Sequence, residues 1–155
     1  MQTTITPYNY QERILQAIKE NTKGIIVAGT GAGKSYTMGW SIQERIAAGD
    51  SVIVVISPRI LLTQQLFKSI DSLIGKSRTF QHCFVYSGEA IQREEKELTS
   101  EQILDVRFAT TSIHGIQEEK ERSDRNNVPL ILMTTYHSLD RIIESGIQID
   151  TVYLD

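Results

Sequence analysis

The chain has 155 residues, of which 40% are hydrophobic and 23% are charged, and 16 Lys and Arg against 19 Asp and Glu give a formal net charge of −3. This length suits a single domain, residues 1–155, and the composition excludes a disordered chain. The net negative charge excludes a protein that attracts nucleic acid through an overall basic field, so any such contact must be local.

The sequence also limits the compartment. Cys83 is the only cysteine, which excludes an internal disulfide and suits a reducing environment. The start, MQTTITPYNYQERIL, has no basic segment leading into an apolar stretch and does not read as a signal peptide. No apolar run approaches the roughly 20 residues that span a bilayer. We expect a soluble, cytoplasmic or otherwise intracellular protein with no membrane partner.

The first third of the chain alternates between the two kinds of regular structure. Residues 8–20 have apolar residues spaced for one face of a helix, and the short β-branched run at 24–28 predicts a buried strand that ends at a group of glycines. Residues 34–48 predict a helix that stops at Gly49. SVIVVIS, residues 51–57, is continuously apolar, as expected of a central parallel strand covered on both faces.

The alternation continues to the end of the chain. Further strands are predicted at 82–87, 106–111, 128–135 and 149–154. Further helices are predicted at 60–74, closed by Gly75, at 113–125 and at 136–144. Residues 89–101 are strongly charged without a clear apolar stripe, which favours a solvated helix or excursion. Strands alternating with helices predict an α/β fold with a mostly parallel sheet and helices on both faces.

The stretch AGTGAGKS, residues 28–35, has the spacing of the phosphate-binding P-loop, GxxxxGK[ST], with Ala28 in place of the first glycine. Glycines let backbone N–H groups converge on phosphate oxygens, and the following helix presents its positive end to the same anion. Lys34 would reach the β- and γ-phosphates, and Ser35 would bind Mg²⁺. The alternative is an ordinary strand-to-helix turn with a capping serine. The predicted nucleotide-binding residues of the loop are Gly29, Thr30, Gly31, Ala32, Gly33, Lys34 and Ser35.

Four more stretches accompany the loop, in a recognisable order. They are PYNYQERILQAI at 7–18, SPRILLTQQ at 57–65, TTYHSL at 134–139 and TVYLD at 151–155. With AGTGAGKS they resemble the motifs of the first RecA-like domain of superfamily-2 helicases, particularly the branch with DEAH-type translocases and restriction-enzyme motor subunits. The resemblance spans nearly the whole chain, although residues 88–127 match no motif. It implies a RecA-like P-loop NTPase fold, ATP and Mg²⁺ as cofactors, and an ATP-dependent helicase or translocase.

The resemblance also implies roles for two residues outside the loop. Gln11 resembles the glutamine that reads the adenine edge, since an amide can pair with the amino group and N7 of adenine together. The alternative is a polar residue near a helix N-terminus. Asp155 resembles the Walker B aspartate that holds Mg²⁺ together with Ser35, and with Lys34 it completes the predicted catalytic pair.

Two of the motifs resemble those that contact nucleic acid. Pro58 and Arg59 follow the strand at 51–57, where Arg59 could contact a backbone phosphate; the alternative is a surface arginine at a helix start. Thr134, Thr135 and Ser138 resemble hydroxyl residues that hold the strand, although such residues can equally cap a helix. The expected partner is nucleic acid, with DNA favoured over RNA. The acidic cluster at 94–97 is most simply a solvated face.

The resemblance implies parts that these residues do not include. In the family the Walker B aspartate is followed by a water-orienting glutamate, and a second RecA-like domain supplies an arginine finger. We therefore expect the chain to be the N-terminal fragment of a longer protein, able to bind nucleotide but turning over almost none. Two alternatives are a small P-loop phosphotransferase similar to a nucleoside kinase, which would need an arginine-bearing lid, and a nonenzymatic nucleotide-binding module.

Overall fold

The computed structural model describes residues 5–74, 79–100, 106 and 109–155. The helices are α1 (Asn9–Glu20), α2 (Lys34–Ala48), α3 (Ile60–Ile74), α4 (Gly88–Glu94), α5 (Ile113–Asn126) and α6 (Leu139–Glu144). The strands are β1 (Val52–Ser57), β2 (Gln81–Val85), β3 (Leu130–Thr135) and β4 (Thr151–Leu154). Short 3₁₀ turns at Glu95–Glu97 and Tyr136–Ser138 follow α4 and precede α6.

The four strands form one parallel sheet in the order β2-β3-β1-β4. β1 lies inside it, with Val54 opposite Leu132 of β3 and opposite Val152 of β4. Every residue of β1 and β3 is buried, which is why each strand begins with an unbroken apolar run, VIVVI in β1 and LILM in β3. The predicted RecA-like α/β fold, with a parallel sheet between helices, is confirmed.

Helices cover both faces of the sheet. On one face α2 and α3 pack on the inward side chains of the central strands, in a cluster made of Ile42, Ile46, Ile53, Val55, Leu66, Ile70, Ile74, Ile131 and Met133. On the other face α5 and α6 contribute Ile116 and Ile142 to a second cluster. Cys83 of β2 belongs to this second cluster, and burial raises the pKa of its thiol to about 11.

A third apolar cluster lies beneath α4. Ala90 and Leu98 pack against Ile60, at the start of α3, and against Tyr86, which follows β2. The prediction that 89–101 is solvated is therefore wrong for Ala90, Glu94 and Leu98, which are buried. A few apolar residues within a charged run, Ala90, Ile91 and Leu98, are enough to attach this segment to the domain. Residue 101 lies outside the described residues.

The predicted buried strand at 24–28 is the main correction to the fold. The segment is not assigned to a strand, and Ile25 and Val27 are both 93% exposed. A β-branched run favours an extended backbone, but a strand also needs a neighbouring edge that supplies hydrogen bonds. Among the described residues, the outer edge of β4 has no partner strand.

Two smaller expectations concern the middle of the chain. At 106–111 Thr110 forms an isolated bridge with Val85, and no longer strand is seen in the part of this segment that is described. Residues 107 and 108 lie outside the described residues, as does Gly75, the predicted end of α3. In the described ranges no helix is long and apolar enough to cross a membrane.

Candidate nucleotide site and nucleic-acid face

The orientation of α2 brings the predicted site residues to one edge of the sheet. Near the C-terminal end of α2, the Arg45 side chain donates to Thr151 Oγ1 at 3.2 Å, at the start of β4. The N-terminal end of α2 therefore points toward the carboxyl ends of the strands. The other predicted site residues lie at that same edge, just after the strands: Arg59 after β1, the Tyr136–Ser138 turn after β3, and Asp155 after β4. Ligands of open parallel sheets bind in this position.

A polar contact holds α2 against the sheet. The hydroxyl groups of Ser41 on α2 and Tyr153 on β4 are 2.7 Å apart. Burial raises the pKa of Tyr153, so its hydroxyl stays protonated and available as a donor at neutral pH. This contact supports the position of the helix that carries the glycine loop.

The glycine loop ends in an uncapped helix. Gly31 and Gly33 have φ values of 79° and 69°, in the left-handed region that favours glycine. Gly33 is the N-cap of α2, and because it has no side chain it makes no capping hydrogen bond to this end of the helix. The backbone N–H groups of the first helical turn have no intrahelical acceptor. They are available to an anion, and the helix dipole adds to the attraction.

Lys34 lies across the loop. Its ammonium group donates to the carbonyl oxygens of Ala28 at 3.1 Å and Gly29 at 3.2 Å, and the side chain is exposed. These are neutral acceptors that a phosphate could replace with a stronger, charge-assisted hydrogen bond. The loop therefore has both donors that the P-loop prediction requires.

Gln11 lies beneath the loop rather than beside it. The side chain is only 3% exposed. Its Oε1 accepts from the Tyr8 N–H at 2.8 Å, and its Nε2 donates to the carbonyl oxygen of Ala32 at 3.3 Å. A Cβ atom added to Gly33 would lie 2.6 Å from that Nε2. Both ends of the amide thus contact backbone, and Gln11 connects the start of α1 to the loop.

Ser35 and Asp155 are the predicted metal ligands. Ser35 is the second residue of α2, and Asp155 follows β4 with its N–H donating to the Ile56 carbonyl at 2.9 Å. Hydroxyl and carboxylate oxygens are ligands that Mg²⁺ prefers. Among the described residues no three His, Cys, Asp or Glu side chains gather into a metal-binding group.

Pro58 and Arg59 lie in the short connection between β1 and α3. The carbonyl of Arg59 accepts from the Thr63 N–H at 3.0 Å and from the Ser57 hydroxyl at 3.1 Å. These bonds hold the backbone while leaving the Arg59 side chain 56% exposed. The guanidinium forms an ion pair with Glu97, 3.1 Å from Nη1 to Oε2. This acidic partner could not be predicted from the sequence, because Glu97 lies 38 residues further along the chain.

The three predicted hydroxyl residues are buried: Thr134 and Thr135 are the last residues of β3, and Ser138 lies in the turn after it. Thr134 Oγ1 donates to the Val85 carbonyl at 2.8 Å, and the Thr135 and Ser138 hydroxyls are 3.1 Å apart. The exposed residues of this turn are Tyr136 and His137, which the sequence motif did not single out. The buried hydroxyls hold the turn in place, and its exposed part faces solvent next to them.

A glycine loop that opens a helix at the carboxyl edge of a parallel sheet defines a RecA-like P-loop NTPase domain. The family described as "Type III restriction enzyme, res subunit" matches residues 4–149. The chain therefore belongs to this family of superfamily-2 helicase motor domains, and the predicted family is confirmed.

One solved structure supports the same fold. It is described as a nuclease-deletion mutant of the Type ISP restriction-modification enzyme LlaGI in complex with a DNA substrate mimic. The TM-score is 0.66 and the sequence identity is 20%, over 97% of this chain and 15% of the LlaGI chain. The chain thus spans a small part of the length of that enzyme. A search of curated proteins found no match.

Proposed function

We propose that residues 1–155 are the ATP-binding first motor domain of an ATP-dependent helicase or translocase. The observation that carries the proposal is the uncapped N-terminus of α2 behind the glycine loop, with the Lys34 ammonium folded across it. Membership of the helicase motor family supports the same conclusion. Nucleotide hydrolysis would then drive translocation of the motor along nucleic acid.

In this proposal the loop backbone and Lys34 hold the β- and γ-phosphates of ATP. Ser35 and Asp155 hold the Mg²⁺, which neutralises phosphate charge when bound. Gln11 keeps the loop in its phosphate-binding shape through the Ala32 carbonyl, and Tyr10 donates to that same carbonyl at 2.8 Å. Adenine reading by Gln11 would require its amide to leave these backbone partners.

We also propose that the carboxyl edge of the sheet binds a nucleic-acid backbone. Arg59 supplies a direct charge-assisted contact to phosphate. Thr134, Thr135 and Ser138 act by holding the turn whose exposed residues, Tyr136 and His137, face the same side. DNA is favoured over RNA because the LlaGI structure contains a DNA substrate mimic. A second RecA-like domain would complete the track and the catalytic site.

The proposal is tested by replacing Lys34 with alanine and measuring Mg²⁺-ATP binding by calorimetry. We expect the affinity for Mg²⁺-ATP to fall by about tenfold or more, because a hydrogen bond to a charged group contributes roughly 1.5–3 kcal/mol. Lys68→Ala is the matched control, since Lys68 is an exposed lysine on α3 and its loss removes the same charge. Equal affinities for the two variants would contradict a phosphate-binding role for the loop.

A further inference from the structure

The segment 88–97, which matches no helicase motif, lies over the start of α3. We call it the acidic segment; it comprises α4 and the 3₁₀ turn after it. Four of its ten residues are glutamates, against one arginine and one lysine. Ala90 fixes it to the apolar cluster around Ile60 and Tyr86. Its position is therefore set by packing, and its carboxylates are held near the proposed nucleic-acid face.

The first carboxylate occupies the N-terminus of α3. Glu94 is 8% exposed, and its Oε2 accepts from the Ile60 N–H at 2.9 Å. Ile60 is the first residue of α3, so its amide has no acceptor within the helix. The carboxylate thus uses a donor that would suit a phosphate oxygen equally well.

The second carboxylate, that of Glu97, forms an ion pair with the neighbouring guanidinium of Arg59. Both side chains are 56% exposed. A pair with this much solvent exposure contributes little stability, so an incoming anion can separate it. Glu94 and Glu97 together therefore cover two adjacent donors, the Ile60 amide and the Arg59 side chain, one firmly and one loosely.

Ser87, the residue just before the acidic segment, and Arg93 within the segment both contact the turn after β3. The Ser87 N–H, at the N-cap of α4, donates to Ser138 Oγ at 2.8 Å. Further along, Arg93 Nη1 lies 3.4 Å from His137 Nε2. The acidic segment thus spans both regions that the proposed function assigns to nucleic acid.

We infer that the acidic segment is a built-in competitor of nucleic acid, in which Glu97 occupies the phosphate position at Arg59 and is displaced when a backbone phosphate binds. Glu94 is the anchor that keeps Glu97 within reach of Arg59. The inference rests on the proposed function, because it requires Arg59 to be a phosphate contact. Its consequence is a lower affinity for nucleic acid than the exposed arginine alone would give.

The test measures binding of a fluorescently labelled DNA duplex and its single strand by anisotropy, at low and at physiological salt. Glu97→Gln keeps the shape of the side chain and removes its charge. We expect an affinity gain of about twofold to fivefold, the size typical of an exposed ion pair. Glu95→Gln is the matched control, since Glu95 is an exposed residue of the same turn. Thermal unfolding checks that both variants fold.

Combination with Arg59→Ala separates the inference from the proposed function. If the inference is right, Glu97→Gln gains more than Glu95→Gln in the natural chain, and the difference disappears when Arg59 is alanine. Equal gains for the two glutamine variants, with Arg59→Ala still weakening binding, would overturn the inference and leave the nucleic-acid face intact. The other decisive outcome is that Arg59→Ala leaves DNA affinity unchanged, both with and without Glu97→Gln. That result would overturn the nucleic-acid face itself, and the inference with it.

Discussion

Gln11 shows how a single residue can be identified from sequence while its contacts are not. The motif predicts a glutamine close to the nucleotide, and the structure places it against the glycine loop. Its burial and its contact with the Ala32 carbonyl depend on how α1 packs, which involves residues about 20 positions apart. A local motif contains no information on that packing, so the adenine-reading role stays a prediction.

Replacing Gln11 with alanine should lower the affinity for ATP and narrow the preference for ATP over GTP. The first effect follows from the loss of the hydrogen bond to the Ala32 carbonyl, and the second from the loss of an amide that could pair with adenine. Calorimetric titration with both nucleotides measures them separately. Gln16→Ala is the control, because Gln16 is an exposed residue of α1 that pairs with Glu20. An unchanged ratio of ATP affinity to GTP affinity would rule out adenine reading by Gln11. It would leave intact its contact with the Ala32 carbonyl, which holds the loop in shape.

At the scale of elements, burial on both faces made some strands easy to predict. β1 and β3 are buried at every position, and each begins with an unbroken apolar run, as a strand covered on both faces requires. Helix α2 begins at Lys34 and ends before Gly49, as its glycine boundaries predicted. The run at 24–28 has the same apolar character but no paired neighbour among the described residues. A sequence pattern reports the preference of a segment, and pairing depends on a second segment.

The difference between these two kinds of segment predicts different sensitivities to mutation. Val27→Thr should change the free energy of unfolding by less than about 0.5 kcal/mol, because its side chain is already in solvent. Val54→Thr is the same near-isosteric replacement in the fully buried β1. It should lower the free energy of unfolding by about 1–3 kcal/mol, because it buries a hydroxyl group. Urea unfolding monitored by circular dichroism compares the two. Equal losses would show that the 24–28 segment is packed in solution.

For the whole molecule, the fold class and the family followed from the order of five motifs, since their order is a property of the sequence. What could not be foreseen was the acidic segment covering Arg59. That contact joins residues 38 positions apart across the carboxyl edge of the sheet. It depends on the apolar contacts of Ala90 and Leu98, which are too few to form a visible stripe in a charged run.

Residues 1–155 should bind Mg²⁺-ATP but hydrolyse it at least about 10³-fold more slowly than a longer chain that includes a second RecA-like domain. An arginine finger alone contributes roughly 10³–10⁵ in rate to phosphoryl transfer, and binding requires fewer groups than catalysis. Phosphate release is measured for both chains, with and without single-stranded DNA and RNA. Comparable turnover by residues 1–155, abolished by Lys34→Ala, would show that these residues suffice for the chemistry.

The open side of β4 also has a consequence for handling the protein at high concentration. This strand offers unpaired backbone donors and acceptors along its outer edge, within the part of the chain that is described. The exposed side chains of Val152 and Leu154 on β4 add apolar surface. Such an edge is a template for pairing with another chain. Purified residues 1–155 should therefore self-associate through strand pairing, and lysine substitution of Val152 should improve their solubility.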